Sequence, residues 1–291
     1  MDTDSPDNRA ADAPVERAAP EPIEPLLKED TVVDRAVSAA MWGLGASWLT
    51  TLLGAQILLH QRFSARQLHN VARLYSMGQV LLTGTSLRHV VHPDIEQGRA
   101  YMFFQNHVNL LDHCTMYNAT SHFKQGVELE EHFDYPFYGE YMRRRGTIPV
   151  SQDLPGLKVL VARMREENEA GHSLLVFPEG TRTVDGNLGE LKSGVFRIAQ
   201  QLEAPIVPVT VTGMYRVMRK GSLMIRPGYD VTVYCDKPIE TTDYARGETT
   251  RLMQDVGSVM RRRLDDYWRS SNAQPRPRWP VPIPSWAKMN G

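Results

Sequence analysis

Residues 103–113 carry the sequence Phe-Phe-Gln-Asn-His-Val-Asn-Leu-Leu-Asp-His, and the rest of the chain is organised around this stretch. The apolar run at residues 101–104 predicts a short buried strand, which ends at the polar residues Asn106 and His107. Asn109 is of the type that caps helices, and apolar residues follow it. The stretch therefore predicts a strand, a polar turn and a helix that starts at Asn109.

His107 and Asp112 are five residues apart, and this spacing suits a catalytic pair only if a helix starts between them. On one continuous helix their side chains would point about 140° apart. With a helix from Asn109 to about Ser121, His107 lies in the preceding turn and Asp112 takes the third helical position, where its carboxylate can face the imidazole. Such a pair is the arrangement of a general base. The alternative is a structural histidine with an aspartate nearby by chance.

A second polar turn follows an apolar strand at residues 173–177. Residues 176–183 have the sequence Val-Phe-Pro-Glu-Gly-Thr-Arg-Thr. Gly180 leaves backbone N–H groups free in such a turn, and Arg182 offers a guanidinium fork that suits a phosphate group. The sequence therefore favours a phosphate site here, with an ordinary surface turn as the alternative.

Together, the two turns resemble two sequence blocks of the glycerolphosphate acyltransferase family, whose members acylate lysophosphatidic acid and related acceptors. The block N-H-x-x-x-x-D matches Asn106, His107 and Asp112, and the block F-P-E-G-T-R matches residues 177–182, about 70 residues later. The resemblance covers roughly residues 83–236. It implies an enzyme, an acyltransferase without a cofactor that moves a fatty acyl group from an acyl-CoA or acyl carrier protein thioester to the hydroxyl of a lysolipid.

In the mechanism that we expect, His107 takes the proton of the acceptor hydroxyl, while Asp112 fixes the tautomer of the ring and stabilises the imidazolium. No nucleophile accompanies the histidine in the motif, and Cys114 is expected in the helix core. A backbone N–H near either turn would stabilise the oxyanion. The resemblance and the local sequence together indicate these substrate-binding residues: Asn106, Gln152, Glu179, Gly180, Thr181, Arg182 and Lys192. The resemblance also places an acyl-donor pocket at Val207 and Pro208.

Gln152 departs from the pattern of the family. A third block of the family carries an arginine at this position, and that arginine contacts the phosphate of the acceptor. Glutamine donates hydrogen bonds but has no charge, so it would bind a phosphate monoester more weakly. Either one of the arginines at residues 143–145 replaces it, instead of lying on a solvated helix face, or the acceptor is a non-phosphate alcohol or an aminolipid. A further alternative is a catalytically degraded, membrane-docked lipid-binding protein.

The formal charge of −1 over 291 residues is unevenly distributed. Residues 1–30 hold nine acidic and three basic residues, a charge of −6, which leaves +5 for the rest of the chain. This mildly basic remainder suits phosphate ligands or an anionic lipid surface, and it is too weakly charged to indicate nucleic acid as a partner. The sequence has no metal-ligand cluster. Its two cysteines, Cys114 and Cys235, predict reduced thiols and a domain that faces the cytosol.

Residues 36–59 contain no charged side chain, and a second helical stretch that carries several arginines extends to about residue 78. This pair predicts a helical hairpin that enters one leaflet of a membrane, with its arginines at the level of the headgroups. A true transmembrane span and a soluble core pair are the alternatives. Members of the resembling family often have a membrane-embedded N-terminal helical element, so we expect a membrane-associated protein whose catalytic domain faces the cytoplasm.

Strands alternate with helices along the chain, which predicts an α/β fold: a central mixed sheet flanked by helices, with an N-terminal apolar helical hairpin. Pro208 interrupts the apolar run at residues 206–211 and predicts an edge strand or a bulge. Four regions follow from these patterns: a disordered acidic tail (1–30), an apolar membrane-associating element (31–78), an acyltransferase catalytic domain (79–271) and a Pro-rich basic tail (272–291).

Overall fold

The computed structural model describes residues 30–151 and 154–271, so the two predicted tails fall outside the described residues except for Asp30. A seven-stranded sheet lies at the centre, and helices flank it. The strands are β1 (Ser86–Val91), β2 (Met102–Gln105), β3 (Lys124–Leu129), β4 (Ile148–Val150), β5 (Ser173–Val176), β6 (Ile206–Thr212) and β7 (Asp230–Cys235). The helices are α1 (Val32–Leu59), α2 (His69–Leu81), α3 (Asp112–Tyr117), α4 (Tyr138–Arg145), α5 (Leu154–Glu169), α6 (Ser193–Gln201), α7 (Met214–Val217) and α8 (Thr249–Ser271).

The strand order is β1-β7-β6-β2-β5-β3-β4. Neighbouring strands are parallel except for β6 and β7, which run antiparallel. The predicted α/β fold with a central mixed sheet is therefore confirmed. Because β2 lies between β6 and β5, the carboxyl ends of three parallel strands meet at the edge of the sheet from which both predicted polar turns leave.

The central strand β2 is apolar on both faces because each face packs under a layer of helices. Met102 and Phe104 join one core cluster, whereas Phe103 joins the cluster on the opposite face. Alternate residues of a strand point to opposite faces, so burial on both sides produces a continuous apolar run.

The helix after β2 differs from its prediction. It begins at Asp112 and not at Asn109, and it ends at Tyr117 instead of near Ser121. Asn109 still caps a turn, since its Oδ1 accepts the N–H of Leu111 at 2.8 Å. Ahead of the helix, Oδ2 of Asp112 accepts the N–H of Asn109 at 2.9 Å, and this side-chain bond holds the preceding residues in a turn.

The first strand, β1, begins at Ser86 after a glycine turn. Helix α2 continues to Leu81, and a turn at Gly84, whose φ is +65°, precedes β1. A positive φ favours glycine, which explains why the chain turns at this residue.

Pro208 lies on an interior strand, because β6 is placed between β7 and β2. The predicted edge strand is therefore wrong. The pairing is nevertheless irregular here: Val209 is opposite Cys235 and Ile206 is opposite Ile239, so three steps along β6 match four steps along its neighbour. This extra residue is the feature of a bulge, where a proline without an N–H is tolerated.

The predicted N-terminal hairpin is formed by α1 and α2, and α1 is attached to the catalytic body. The indole Nε1 of Trp48 in α1 donates to the carbonyl of Tyr75 in α2 at 3.0 Å. Gly78 makes room for this ring, since a Cβ at that position would lie 2.3 Å from it. Nearer the start of α1, Nε1 of Trp42 donates to the carbonyl of Leu223, in the connection before β7, at 2.6 Å.

Helix α1 is long and apolar enough to cross a membrane, judged by length and composition alone. It has 28 residues, and its most apolar window has a mean hydropathy of 1.3 and is 11% buried. A largely exposed helix with apolar and uncharged polar side chains is typical of a helix that lies on a lipid surface, and also of a transmembrane helix.

Candidate active site

The predicted contact between His107 and Asp112 is present. The ring Nδ1 lies 2.8 Å from Oδ2 of the carboxylate, and the Asp112 side chain is 1% exposed. His107 is in the loop that follows β2, while Asp112 is the first residue of α3. A buried carboxylate at Nδ1 holds a proton on that nitrogen and leaves the lone pair of Nε2 available to substrate.

Asp112 is itself fixed by the backbone. Its Oδ2 also accepts the N–H groups of Val108 and Asn109, the second at 2.9 Å. Gln105, at the end of β2, donates from Nε2 to the backbone carbonyl of Asp112 at 2.9 Å. These bonds set the orientation of the carboxylate before any substrate arrives, which is what a precise catalytic geometry requires.

The imidazole of His107 is held from a second side by Phe177. Their ring centroids are 4.1 Å apart, and the ring planes are inclined by 18°, so the two rings are stacked. Both residues line the same cavity. Nε2 of His107 has no hydrogen bond to a described residue, and His107 lines the cavity.

Glu179 joins the two polar turns. Its Oε1 accepts the backbone N–H of His107 at 2.7 Å, and its Oε2 accepts the N–H of Gly189 at 2.6 Å. Thr183 adds a second link, because its N–H donates to the carbonyl of His107 at 2.8 Å. Burial raises the pKa of the Glu179 carboxyl, and the two backbone N–H groups oppose this rise. With both oxygens occupied inside the protein, Glu179 positions His107 and is not placed to bind an acceptor.

Gly180, Thr181 and Arg182 form the exposed part of the second turn. Gly180 has a φ of +66°, and its N–H closes the turn on the carbonyl of Phe177 at 3.0 Å. The side chain of Arg182 lines the cavity beside His107 and has no ion-pair partner among the described residues. Its guanidinium is therefore available to an anionic ligand.

Several other predicted site residues lie away from the cavity. Asn106 is buried, and its amide exchanges two hydrogen bonds with the backbone of Val211, at 2.7 and 3.1 Å. It ties β2 to β6 and does not reach substrate. Lys192 has its backbone against the second turn, but its Nζ pairs with exposed Glu190 at 3.0 Å. Gln152 is outside the described residues.

Val207 and Pro208, where an acyl-donor pocket was predicted, do not line the cavity that contains His107. Val207 is fully buried within the sheet core. The cavity lies instead between the helical hairpin and the end of the sheet, with a volume of about 590 Å³. Its lining is mainly apolar and aromatic, and α1 and α2 supply these wall residues: Met41, Trp42, Leu49, Ala72 and Tyr75.

The three arginines at residues 143–145 have separate roles. Arg144 pairs with Glu140 at 2.6 Å on the surface of α4. Arg143 donates to the carbonyl of Phe133 at 2.6 Å. Arg145 lines the cavity, but its guanidinium donates to the carbonyl of Lys124 at 2.8 Å. Each guanidinium thus has an intramolecular partner.

Two contributors to the site could not be recognised from the sequence. Phe177 is part of the second motif, yet nothing local shows that it stacks on His107. Lys220 lies after α7, outside both motifs, and its Nζ donates to Oγ1 of Thr181 at 3.0 Å and to the carbonyl of Arg182 at 3.2 Å. Only the folded chain brings this lysine to the turn.

Residues 88–212 match the family model for acyltransferases. This part of the chain, which is less than half of the 291 residues, is similar to the acyltransferase family. The match includes both motif turns, and together with the curated relatives described below it supports the resemblance to glycerolphosphate acyltransferases. Within residues 30–151 and 154–271, no group of three or more His, Cys, Asp and Glu side chains is placed to hold a metal ion.

Curated relatives carry a consistent name. The chain is 34% identical over 139 residues to the chloroplastic 1-acyl-sn-glycerol-3-phosphate acyltransferase BAT2 of Brassica napus. This alignment covers 47% of this chain and 40% of that protein. It is 27% identical over 248 residues to the 1-acyl-sn-glycerol-3-phosphate acyltransferase of Saccharomyces cerevisiae. This second alignment covers 79% of this chain and 78% of that protein. The chain thus spans about two fifths of the plant relative but most of the yeast one.

A solved structure has the same fold. The crystal structure of the 1-acyl-sn-glycerophosphate acyltransferase PlsC from Thermotoga maritima superposes with a TM-score of 0.70 at 18% identity. The superposition covers 81% of this chain and 96% of that chain. At this identity the comparison concerns the fold, including the sheet that carries both turns.

Proposed function

We propose that this protein transfers a fatty acyl group from an acyl thioester to the free hydroxyl of a lysolipid similar to lysophosphatidic acid. One observation carries the proposal: a histidine oriented by a buried aspartate faces a largely apolar cavity, and an arginine without an ion-pair partner lies beside it. The cavity suits an acyl chain, the arginine suits a phosphate, and the histidine suits the proton of the hydroxyl between them. The names of the curated relatives support the same reaction.

In the proposed reaction, Nε2 of His107 accepts the proton of the acceptor hydroxyl as its oxygen attacks the thioester carbonyl. Asp112 stabilises the imidazolium through the proton on Nδ1. The tetrahedral intermediate then collapses, the carbon–sulfur bond breaks, and the imidazolium returns its proton to the leaving thiolate. The products are an ester and a free thiol.

No covalent enzyme intermediate is part of this proposal. Cys114 is close in sequence to His107, but it is fully buried, and burial raises the pKa of its thiol to about 12. A thiol with such a pKa is almost entirely protonated near neutral pH and is a poor nucleophile.

The oxyanion of the intermediate requires hydrogen-bond donors. The N–H groups of residues 107–109 are occupied by Glu179 and Asp112. The backbone N–H groups of Leu110, Thr181 and Arg182 have no acceptor within the described part of the chain. These three are therefore the candidates for oxyanion stabilisation.

The surface of the helical hairpin supports binding to a membrane. Helix α1 walls the cavity with one face, and its opposite face is uncharged and largely exposed. A lysolipid in a bilayer could then enter the cavity beside α1 without crossing water. We propose that the hairpin lies at the membrane interface and that the catalytic domain faces the cytoplasm.

The experiment that tests this function measures thiol release from acyl-CoA by the purified protein in mixed micelles. The acceptors are lysophosphatidic acid, a lysophospholipid with an amine-bearing headgroup and a monoacylglycerol. Thiol release and a new diacyl product with lysophosphatidic acid support the proposal. Activity only with the aminolipid or the monoacylglycerol would reject the phosphate acceptor. Absence of thiol release with all three acceptors would favour a lipid-binding protein.

A further inference from the structure

Lys220 reaches into the phosphate-type turn from a distant part of the chain. It follows α7, and its Nζ donates to the side chain of Thr181 and the carbonyl of Arg182, at 3.0 and 3.2 Å. The same connection is fixed to the catalytic loop, since Nδ2 of Asn109 donates to the carbonyls of Met214 and Met218 at 3.3 and 3.4 Å. The position of Lys220 is thus set by its own bonds to the turn and by the bonds that Asn109 makes to the segment before it.

The turn carries two cations and no neutralising carboxylate. Neither Lys220 nor Arg182 lies within 4.0 Å of an acidic side chain in residues 30–151 and 154–271. Two other exposed lysines pair with acids, Lys192 with Glu190 and Lys237 with Asp94, whereas exposed Lys158 also has no acidic partner among the described residues. Lys220 contacts the backbone of Arg182, so the two positive side chains belong to one turn, and both would attract an anionic ligand bound there.

The ammonium group of Lys220 also has one proton to spare. It carries three donors, and two of them serve Thr181 and Arg182. The third can reach a ligand at the same turn, where the backbone N–H groups of residues 181 and 182 have no acceptor in the described chain. Backbone donors and two cations together form a site that suits a doubly charged phosphate monoester.

We propose that Lys220 is a ligand of the acceptor phosphate, and that with Arg182 it supplies the charge that Gln152 does not. This inference rests on the proposed function. It assigns the second cation of the site to a residue outside both sequence motifs. It also commits the acceptor to a headgroup with a phosphate monoester.

The competing explanation is that Lys220 only supports the turn. A support would act through His107, because the turn holds the carbonyl of that residue through Thr183. Its loss would then lower kcat. A phosphate ligand is instead used in binding the acceptor before and during the reaction, so its loss raises the KM of phosphate-bearing acceptors with little change in kcat.

The test compares Lys220→Met, Lys220→Arg and the matched control Lys237→Met in the full chain. Kinetics are measured with lysophosphatidic acid, and dodecyl phosphate and dodecanol serve as unreactive competitors. We expect Lys220→Met to raise the KM for lysophosphatidic acid and the inhibition constant of dodecyl phosphate about tenfold, which corresponds to about 1.4 kcal/mol. The inhibition constant of dodecanol should stay within about twofold, Lys220→Arg should retain most of the affinity, and Lys237→Met should match the wild type.

The outcomes separate this inference from the proposed function. If the wild-type protein transfers no acyl group, the proposed function fails first. If the wild type is active and Lys220→Met leaves both phosphate constants unchanged, or lowers kcat alone, Lys220 is not a phosphate ligand. An equal loss of affinity for dodecanol would also overturn the inference, because it would reveal a general disturbance of the cavity. A thermal unfolding scan of each variant identifies any loss of fold.

Discussion

Replacing Glu179 by glutamine is expected to destabilise the fold and to slow acyl transfer at the same time. The carboxylate accepts the N–H groups of His107 and Gly189, at 2.7 and 2.6 Å, and it is 2% exposed. Glutamine keeps one acceptor but presents an NH₂ group to the other N–H, so one buried donor loses its partner. Losing a charge-assisted bond and leaving that donor unsatisfied costs about 2–4 kcal/mol, or roughly 5–15 °C in Tm for a chain of this size.

In the glutamine variant the N–H groups of His107 and Gly189 share a single acceptor oxygen, so the backbone of His107 is held less firmly and the distance from its imidazole to the reacting hydroxyl varies more. A displacement of about 1 Å at a catalytic group costs roughly 100-fold in kcat. The assay is a thermal unfolding scan with kcat and acceptor KM for Glu179→Gln. Glu190→Gln, an exposed change on the same segment, is the control and should behave as the wild type. An unchanged Tm and kcat with a raised acceptor KM would refute this reasoning, because it would make Glu179 a ligand of the headgroup.

Two further changes test the surroundings of the site. Burial lowers the pKa of His69 to about 4, so between about pH 6.5 and pH 4 the unfolded chain binds a proton that the folded chain does not, and stability falls with the pH. The free energy of unfolding, measured with urea at pH 7 and pH 4.5, should therefore fall by about 1 kcal/mol less in His69→Gln than in the wild type, a value that allows for the half-exposed ring. An equal fall in both proteins would contradict this prediction. Ala72→Phe narrows the cavity from the side of α2. In a series of acyl-CoA substrates of increasing chain length, kcat/KM should fall about tenfold for each methylene that no longer fits. An equal fall in kcat/KM at every chain length would place the acyl chain elsewhere.

The sequence was sufficient for the parts of the fold that depend on local patterns. The apolar run at residues 101–104 is a buried strand, displaced by only one residue, because burial on both faces leaves a clear composition signal. The contact between His107 and Asp112 was predicted, although the helix begins three residues later than expected. Local side-chain bonds hold residues 109–111 in a turn instead, because Asn109 accepts the N–H of Leu111 and Asp112 accepts the N–H of Asn109.

Contacts between segments that are distant in the sequence could not be predicted from local sequence patterns. Glu179 was expected at the acceptor, but its partner is the backbone of a residue 72 positions earlier, and only the parallel arrangement of β2 and β5 brings the two together. The acyl cavity was expected at Val207 because the resemblance suggested it. In the structure, the cavity that His107 lines has α1 and α2 as part of its wall, and the apolar residues of these helices alone could equally have indicated a membrane span.

The account depends most directly on His107 as the base. The decisive measurement is the rate of thiol release from acyl-CoA, with the acceptor present, for His107→Ala at an unchanged Tm, beside His92→Ala as a matched histidine control. We predict that the His107 variant loses about 10²–10⁴ in kcat, while the His92 variant keeps the wild-type rate. Acyl transfer at the wild-type rate by a folded His107→Ala protein would contradict the account.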